Sequence, residues 1–105
     1  MTDIDISVAE LKKQIGSDQN LLLIDVRSQQ ERDMYNISGI LIPLTELSQQ
    51  LEHIDRNKNI VVYCHTGARS MMAVKLLKEA GFASVKSLAG GMMAWQAEEM
   101  ETEHA

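Results

Sequence analysis

Two short apolar runs constrain this chain more than any other feature. They are Leu21-Leu22-Leu23-Ile24, closed by Asp25, and Ile60-Val61-Val62-Tyr63, closed by Cys64. Neither alternates apolar with polar residues, so neither reads as a strand with one wet face. Short continuous runs bounded by polar residues are the pattern of strands buried on both faces of a parallel sheet. Weaker strand signals lie at Ile4–Ile6, Ile40–Ile42 and Val85–Leu88.

A parallel sheet needs helical crossovers, and the sequence supplies them. Ser7-Val8-Ala9-Glu10 and Ser28-Gln29-Gln30-Glu31 both fit the Ser-x-x-Glu capping box, in which each end satisfies the other's orphan donors. Thr45 is placed as the cap of a helix through Leu47 and Leu51. Residues Ser70 to Ala80 put Val74, Leu77 and Ala80 on one helical face, and Gly81 follows as a C-terminal stop. Gly90-Gly91 precedes a last helical stretch from Met92 to about Met100. Strands alternating with helices imply right-handed crossovers and an α/β fold with the sheet covered on both faces. Ligands in such folds sit outside the carboxyl ends of the strands, and Cys64 lies at such an end.

Length and composition narrow the function classes. The 105 residues read as a single domain, 1–105, with no repeat or linker and with the acidic end, 98–105, as a solvated or frayed helix end. Apolar residues at 45% and charged residues at 24% exclude collagen, a disulfide scaffold and a disordered tail. No apolar run approaches the ~20 residues that span a bilayer, so no membrane association is expected. The net charge of −5 is concentrated in Glu98, Glu99, Glu101 and Glu103, and no basic face for nucleic acid is visible. Met1-Thr2-Asp3-Ile4-Asp5 lacks the apolar stretch of a secretory signal. Cys64 is the single cysteine, which excludes an internal disulfide and a multi-cysteine zinc site and points to a reducing, cytoplasmic setting.

The chemistry is concentrated in Cys64-His65-Thr66-Gly67-Ala68-Arg69-Ser70, between the second apolar run and the following helix. A strand-to-helix turn with glycine in its middle lets successive backbone N–H groups curl inward and form an anion-binding nest. An unperturbed thiol, with a pKa of ~8.5, is only a few per cent ionised at neutral pH. A shift of two units takes roughly 2.7 kcal/mol, within reach of several N–H donors, a helix N-terminus and a guanidinium. The competing reading is a small buried hydrophobe, the usual fate of a lone cysteine. The position between a buried strand and a Gly/Arg loop favours the nucleophile.

Cys64-x-x-Gly67-x-Arg69-Ser70 resembles the active-site loop of rhodanese-type sulfurtransferases. Leu23-Ile24-Asp25-Val26-Arg27 with Glu31 is similar to that family's early signature, and Ile42-Pro43-Leu44 and Leu88-x-Gly90-Gly91-x-x-x-Trp95 resemble two further blocks. The resemblance implies a rhodanese-like three-layer domain with a mostly parallel five-stranded sheet and helices on both faces. It also implies transfer of a sulfane sulfur through a Cys64 persulfide, cradled by the N–H groups of residues 65–69. The partners it implies are a small anionic donor such as thiosulfate and a thiol or protein acceptor, with no metal or organic cofactor. Covalent transfer in two steps predicts ping-pong kinetics.

The supporting residues carry open roles. Arg69 either orients an anionic donor or ties the loop to Asp25 or Glu31. Asp25 and Arg27 read as strand-end scaffolding. His65 and Thr66 are substrate contacts or exposed loop, and Ser70 either caps the helix or donates to the thiolate. His53 and His104 read as surface residues, and Met71, Met72, Met92 and Met93 as adaptable packing.

One segment departs from the family. Tyr35-Asn36-Ile37-Ser38-Gly39-Ile40 stands where Gly-His-Ile-Pro-Gly-Ala is usual, one residue shorter before Pro43, so a remodelled turn is expected there. Two other activities compete with the transferase. A cysteine phosphatase or arsenate reductase uses Cys-x5-Arg, whereas Cys64 and Arg69 make Cys-x4-Arg. One residue fewer removes about 3.5 Å of contour, which suits one sulfur atom better than a tetrahedral oxyanion. A non-catalytic binding or sulfur-relay module is the other alternative.

Overall fold

The computed structural model describes residues 4–104, with side chains for residues 4–101. The expectations for Met1, Thr2 and Asp3, and for the Glu103 and His104 side chains, lie outside the described residues.

Five strands form one sheet: β1 (Asp5–Ile6), β2 (Leu21–Asp25), β3 (Ile40–Leu41), β4 (Asn59–Tyr63) and β5 (Val85–Leu88). Their order is β1-β5-β4-β2-β3, and every pairing is parallel. The two apolar runs are β2 and β4, neighbours near the middle of the sheet, with Leu22 opposite Ile60 and Asp25 opposite Tyr63.

Alternation along these strands divides the core into two layers. Ile24, Ile60, Val62 and Val85 pack on one face with Leu47, Ala73, Val74, Leu77 and Phe82. Leu23, Val61 and Tyr63 pack on the other with Val8, Leu11, Met92 and Trp95. Helices α3 (Leu44–Leu47) and α4 (Ala68–Glu79) therefore cover the first face, and α1 (Val8–Ser17) and α5 (Gly91–His104) the second. This is why neither run alternates: both sides of each strand are dry.

Local signals set most helix boundaries. The Glu10 N–H donates to Ser7 Oγ and the Ser7 N–H to Glu10 Oε1, each at 3.1 Å, which starts α1. The same reciprocal pair between Ser28 and Glu31, each bond 3.2 Å, starts α2 (Gln29–Met34). At the end of α4, the Phe82 N–H reaches the Leu77 carbonyl and the Gly81 N–H that of Lys78, both at 3.0 Å.

Three expectations need correction. Thr45 caps nothing: α3 begins at Leu44, whose N–H is drawn to the Val26 carbonyl (3.1 Å), and the helix stops before a separate 3-10 turn at Leu51–His53. Helix α4 begins at Ala68, not Ser70, because Gly67 makes the turn. Met72 and Met93 are exposed, at 61% and 54%, since the buried stripes of their helices are filled by Ala73, Val74 and Leu77 and by Met92 and Trp95.

The last helix is docked against the body as far as Glu99. Glu99 pairs with Lys12 at 3.0 Å, and the Lys12 ammonium lies 5.1 Å from the Trp95 ring centre. Among the described residues no helix is long and apolar enough to cross a membrane.

Candidate functional site

Strand β4 ends at Tyr63, and the chain turns through Cys64, His65 and Thr66 into Gly67. Gly67 has φ +109°, a left-handed conformation that a Cβ disfavours, and it is the N-cap of α4. The reversal brings two backbone donors onto the Cys64 sulfur: the Gly67 N–H at 3.1 Å and the Ser70 N–H at 3.3 Å. Ser70 Oγ lies 3.4 Å from the same sulfur. Of residues 65–69, Gly67 alone reaches Sγ with its N–H among the described bonds; Ser70, the third residue of α4, supplies the second donor. Ser70 is thus no helix cap, and its side chain faces the sulfur. Cys64 itself is 1% exposed, while His65, Thr66 and Ala68 face solvent.

The outer side of the loop is held by the start of α5. The Met92 N–H donates to the Cys64 carbonyl (2.9 Å) and the Met93 N–H to the His65 carbonyl (3.0 Å). These are orphan donors of a helix N-terminus. They fix the loop carbonyls outward while the Gly67 and Ser70 N–H groups point inward. Gly91 makes the approach possible, because a Cβ there would sit 2.5 Å from the Cys64 carbonyl oxygen.

Two ion-pair systems frame the loop. Arg69 donates to both oxygens of Glu31, at 2.7 and 2.8 Å, so its guanidinium engages Glu31 and not Asp25. These bonds, aided by those from Ser28 and opposed by burial, hold the Glu31 carboxyl at about 2. Beneath them, fully buried Asp25 accepts from Arg27 Nε (2.9 Å), Arg27 Nη2 (3.0 Å) and the Arg27 N–H (3.0 Å). Burial disfavours the charged Arg27, and the Asp25 carboxylate more than offsets it, so the guanidinium stays ionised. Asp25 also meets Arg32 at 3.4 Å.

A cleft of about 450 Å³ opens beside the loop, lined by Arg27, Glu31, Met34, Tyr35, His65, Met92 and Gln96. The loop itself contributes His65 to this lining, beside Met92, whose N–H holds the Cys64 carbonyl. The described residues hold no group of three or more His, Cys, Asp and Glu side chains suited to a metal ion.

A profile of the Rhodanese-like domain matches residues 7–98. The chain belongs to the rhodanese-like domain family. Within it, the chain is 40% identical over 95 residues to "Putative sulfurtransferase YtwF" of Bacillus subtilis, covering 90% of this chain and 91% of that protein. It is 35% identical over 92 residues to "Putative sulfur carrier protein YrkF" of the same organism, covering 87% of this chain but spanning half the length of that relative. The crystal structure of a rhodanese-related protein from Thermoplasma volcanium superposes with a TM-score of 0.80 at 29% identity, covering 90% and 91% of the two chains.

The segment that departs from the usual rhodanese pattern is tightly anchored. The Tyr63 hydroxyl donates to the Ser38 carbonyl (2.8 Å) and accepts from the Ile37 N–H (3.4 Å). Arg27 Nη2 donates to the Tyr35 carbonyl and Arg32 Nη2 to that of Gly39, each at 2.7 Å. Ser38 takes φ +74°, unusual for a side-chain-bearing residue. The segment begins at Tyr35, which lines the cleft.

Sequence reasoning missed Ser87. This buried β5 residue has its hydroxyl 2.7 Å from Ser70 Oγ. The available signal was a serine in phase with Val85 on a strand flanked by apolar positions.

Proposed function

We propose that this rhodanese domain is a sulfurtransferase that carries sulfane sulfur as a Cys64 persulfide. The observation that carries the reading is the Cys64 sulfur receiving the Gly67 and Ser70 N–H groups at 3.1 and 3.3 Å, an environment suited to negative charge on sulfur. In the first step the Cys64 thiolate attacks the outer sulfur of thiosulfate or a similar donor. An Sγ–S bond forms, the donor's S–S bond breaks, and sulfite departs with the electron pair. In the second, a thiolate (cyanide in an assay) attacks the outer sulfur and the electron pair returns to Cys64. His65, Thr66, Gly67, Ala68, Arg69 and Ser70 form the persulfide loop, with Asp25, Arg27 and Glu31 as its support.

The engagement of both Arg69 terminal nitrogens by Glu31 supports sulfur chemistry over phosphoryl or arsenate chemistry, which needs a guanidinium turned onto the oxyanion. The exposed loop residues and the open cleft fit an acceptor thiol, small or on a protein.

The test is intact mass after brief exposure to thiosulfate, for wild type and Cys64→Ser, followed by cyanide. The expected result is a gain of one sulfur atom in the wild type, lost with cyanide and absent in the variant. No adduct from thiosulfate, mercaptopyruvate or a small-molecule persulfide would overturn the reading.

A further inference from the structure

Ser87 is a buried polar side chain that the transfer steps leave unused. It lies on β5 in register with Val62 of β4 and is 1% exposed. Apolar side chains dominate this face, among them Val62, Val85, Ala73 and Val74. A hydroxyl here has lost its water and needs a partner. That partner is Ser70 Oγ at 2.7 Å, where either oxygen can donate. Ser70 Oγ in turn lies 3.4 Å from Cys64 Sγ and 3.2 Å from the Gly67 carbonyl. Three groups thus form one line from the sheet to the nucleophile.

Each hydroxyl has one proton and two lone pairs, so the direction of this line depends on the sulfur. When Cys64 is a thiol, its S–H donates to Ser70 Oγ, and the Ser70 proton turns to Gly67 or Ser87. When Cys64 is a thiolate, the Ser70 proton points at sulfur, and the Ser70 oxygen is free to accept from Ser87. We propose that Ser87 is a positioning residue for the Cys64 nucleophile, its hydroxyl donating to Ser70 and so keeping the Ser70 proton on the sulfur whenever that sulfur is negative. Negative sulfur occurs twice in a turnover, before attack on the donor and when the persulfide is discharged. The inference rests on Cys64 being the nucleophile.

Other charged groups near the loop are Arg69 with Glu31 and the Asp25–Arg27–Arg32 cluster, and the exposed imidazole of His65 is the further titratable side chain. None of these side chains is bonded to Ser87 in the described contacts, and Lys86 points to the opposite face of β5. A substitution at Ser87 therefore changes the hydroxyl line and leaves the charges in place.

The test is the rate of iodoacetamide alkylation against pH for wild type, Ser87→Ala, Ser87→Thr and Ser87→Val, with thermal unfolding as a check on folding. In Ser87→Ala the midpoint is expected to rise by about half to one pH unit, with alkylation below it about three- to tenfold slower. Ser87→Val should follow Ala and Ser87→Thr should follow wild type. An Ala profile superimposed on wild type, or Thr shifting together with Val, would overturn the proposal. If Ser87→Ala does not fold, the Thr and Val variants, alike in shape but differing by the hydroxyl, decide alone. Alkylation needs no sulfur donor, so failure of wild type to take up sulfur would remove the proposed function and still leave this comparison readable.

Discussion

Arg69 at the second position of α4 and Glu31 at the third position of α2 form a two-bond ion pair, at 2.7 and 2.8 Å, across 38 residues of sequence. Glu31 also closes the capping box with Ser28. One carboxylate therefore holds the start of α2 and the start of the helix that follows the nucleophile.

Glu31→Gln tests this pair through its pH dependence. The folded carboxyl sits at about 2, below its ordinary 4.5, so its stabilisation is fully present above 4.5 and is lost as pH falls toward 2. The pair is about one-third exposed, and solvent screening limits its worth to about 1 kcal/mol. Urea unfolding at neutral pH should find the variant less stable by about that amount, with the gap narrowing steadily below pH 4.5. A gap independent of pH would mean that packing, not charge, makes the difference.

Gly91→Ala should damage the nucleophile loop while sparing the sheet. The new Cβ would lie 2.5 Å from the Cys64 carbonyl oxygen and 2.6 Å from that of His65, and both are backbone atoms. A destabilisation of about 1–3 kcal/mol is expected from such overpacking, with sulfur uptake slowed by about tenfold or more. Gly16→Ala in α1 is the matched control, since nothing lies within 4 Å of its Cβ, and it should stabilise by about 0.5–1 kcal/mol. Equal uptake rates for the two variants would contradict the role given to Gly91.

Asp25→Ala leaves the Arg27 guanidinium buried, at 4% exposure, without its carboxylate. A loss of about 3–5 kcal/mol is expected, most of it the penalty of an unpaired buried charge. The double variant Asp25→Leu/Arg27→Met should be more stable than Asp25→Ala in the same denaturant titration. If it is less stable, the bonds of Arg27 to the Tyr35 carbonyl and the ring of Tyr63 matter more than charge balance.

Tyr63→Phe removes the phenol that anchors the turn at Ile37 and Ser38. The expected destabilisation is about 1 kcal/mol, with faster amide exchange at residues 36–39 than elsewhere. Uniform acceleration across all five strands would show instead that the hydroxyl stabilises the whole domain.

The helix starts expected at Thr45 and Ser70 failed for the same reason, while the other reading of Ser70, a hydroxyl beside the Cys64 sulfur, agrees with its position. Both residue types are good caps, and the pattern of apolar residues allowed a helix start at each. Distant backbone groups decided otherwise: the Val26 carbonyl captures the Leu44 N–H, and the Cys64 sulfur captures the Ser70 N–H inside a helix already begun. Met72 and Met93 likewise depend on which stripe of each helix meets the sheet, a rotation that local sequence leaves free.

By itself the sequence determined what depends on neighbours along the chain. The unbroken runs of β2 and β4 demand a parallel sheet covered on both sides, the capping boxes start α1 and α2, and Gly67 sets the turn after Cys64. These are local matters of hydrophobic pattern, orphan helix donors and backbone sterics. Tertiary structure alone decided which partner Arg69 takes, how Gly91 braces the Cys64 carbonyl, and that Ser87 stands 2.7 Å from Ser70. Each joins groups that are not neighbours along the chain, and they meet only because parallel pairing sets β5 beside β4 and packing brings α2 and α5 against the loop.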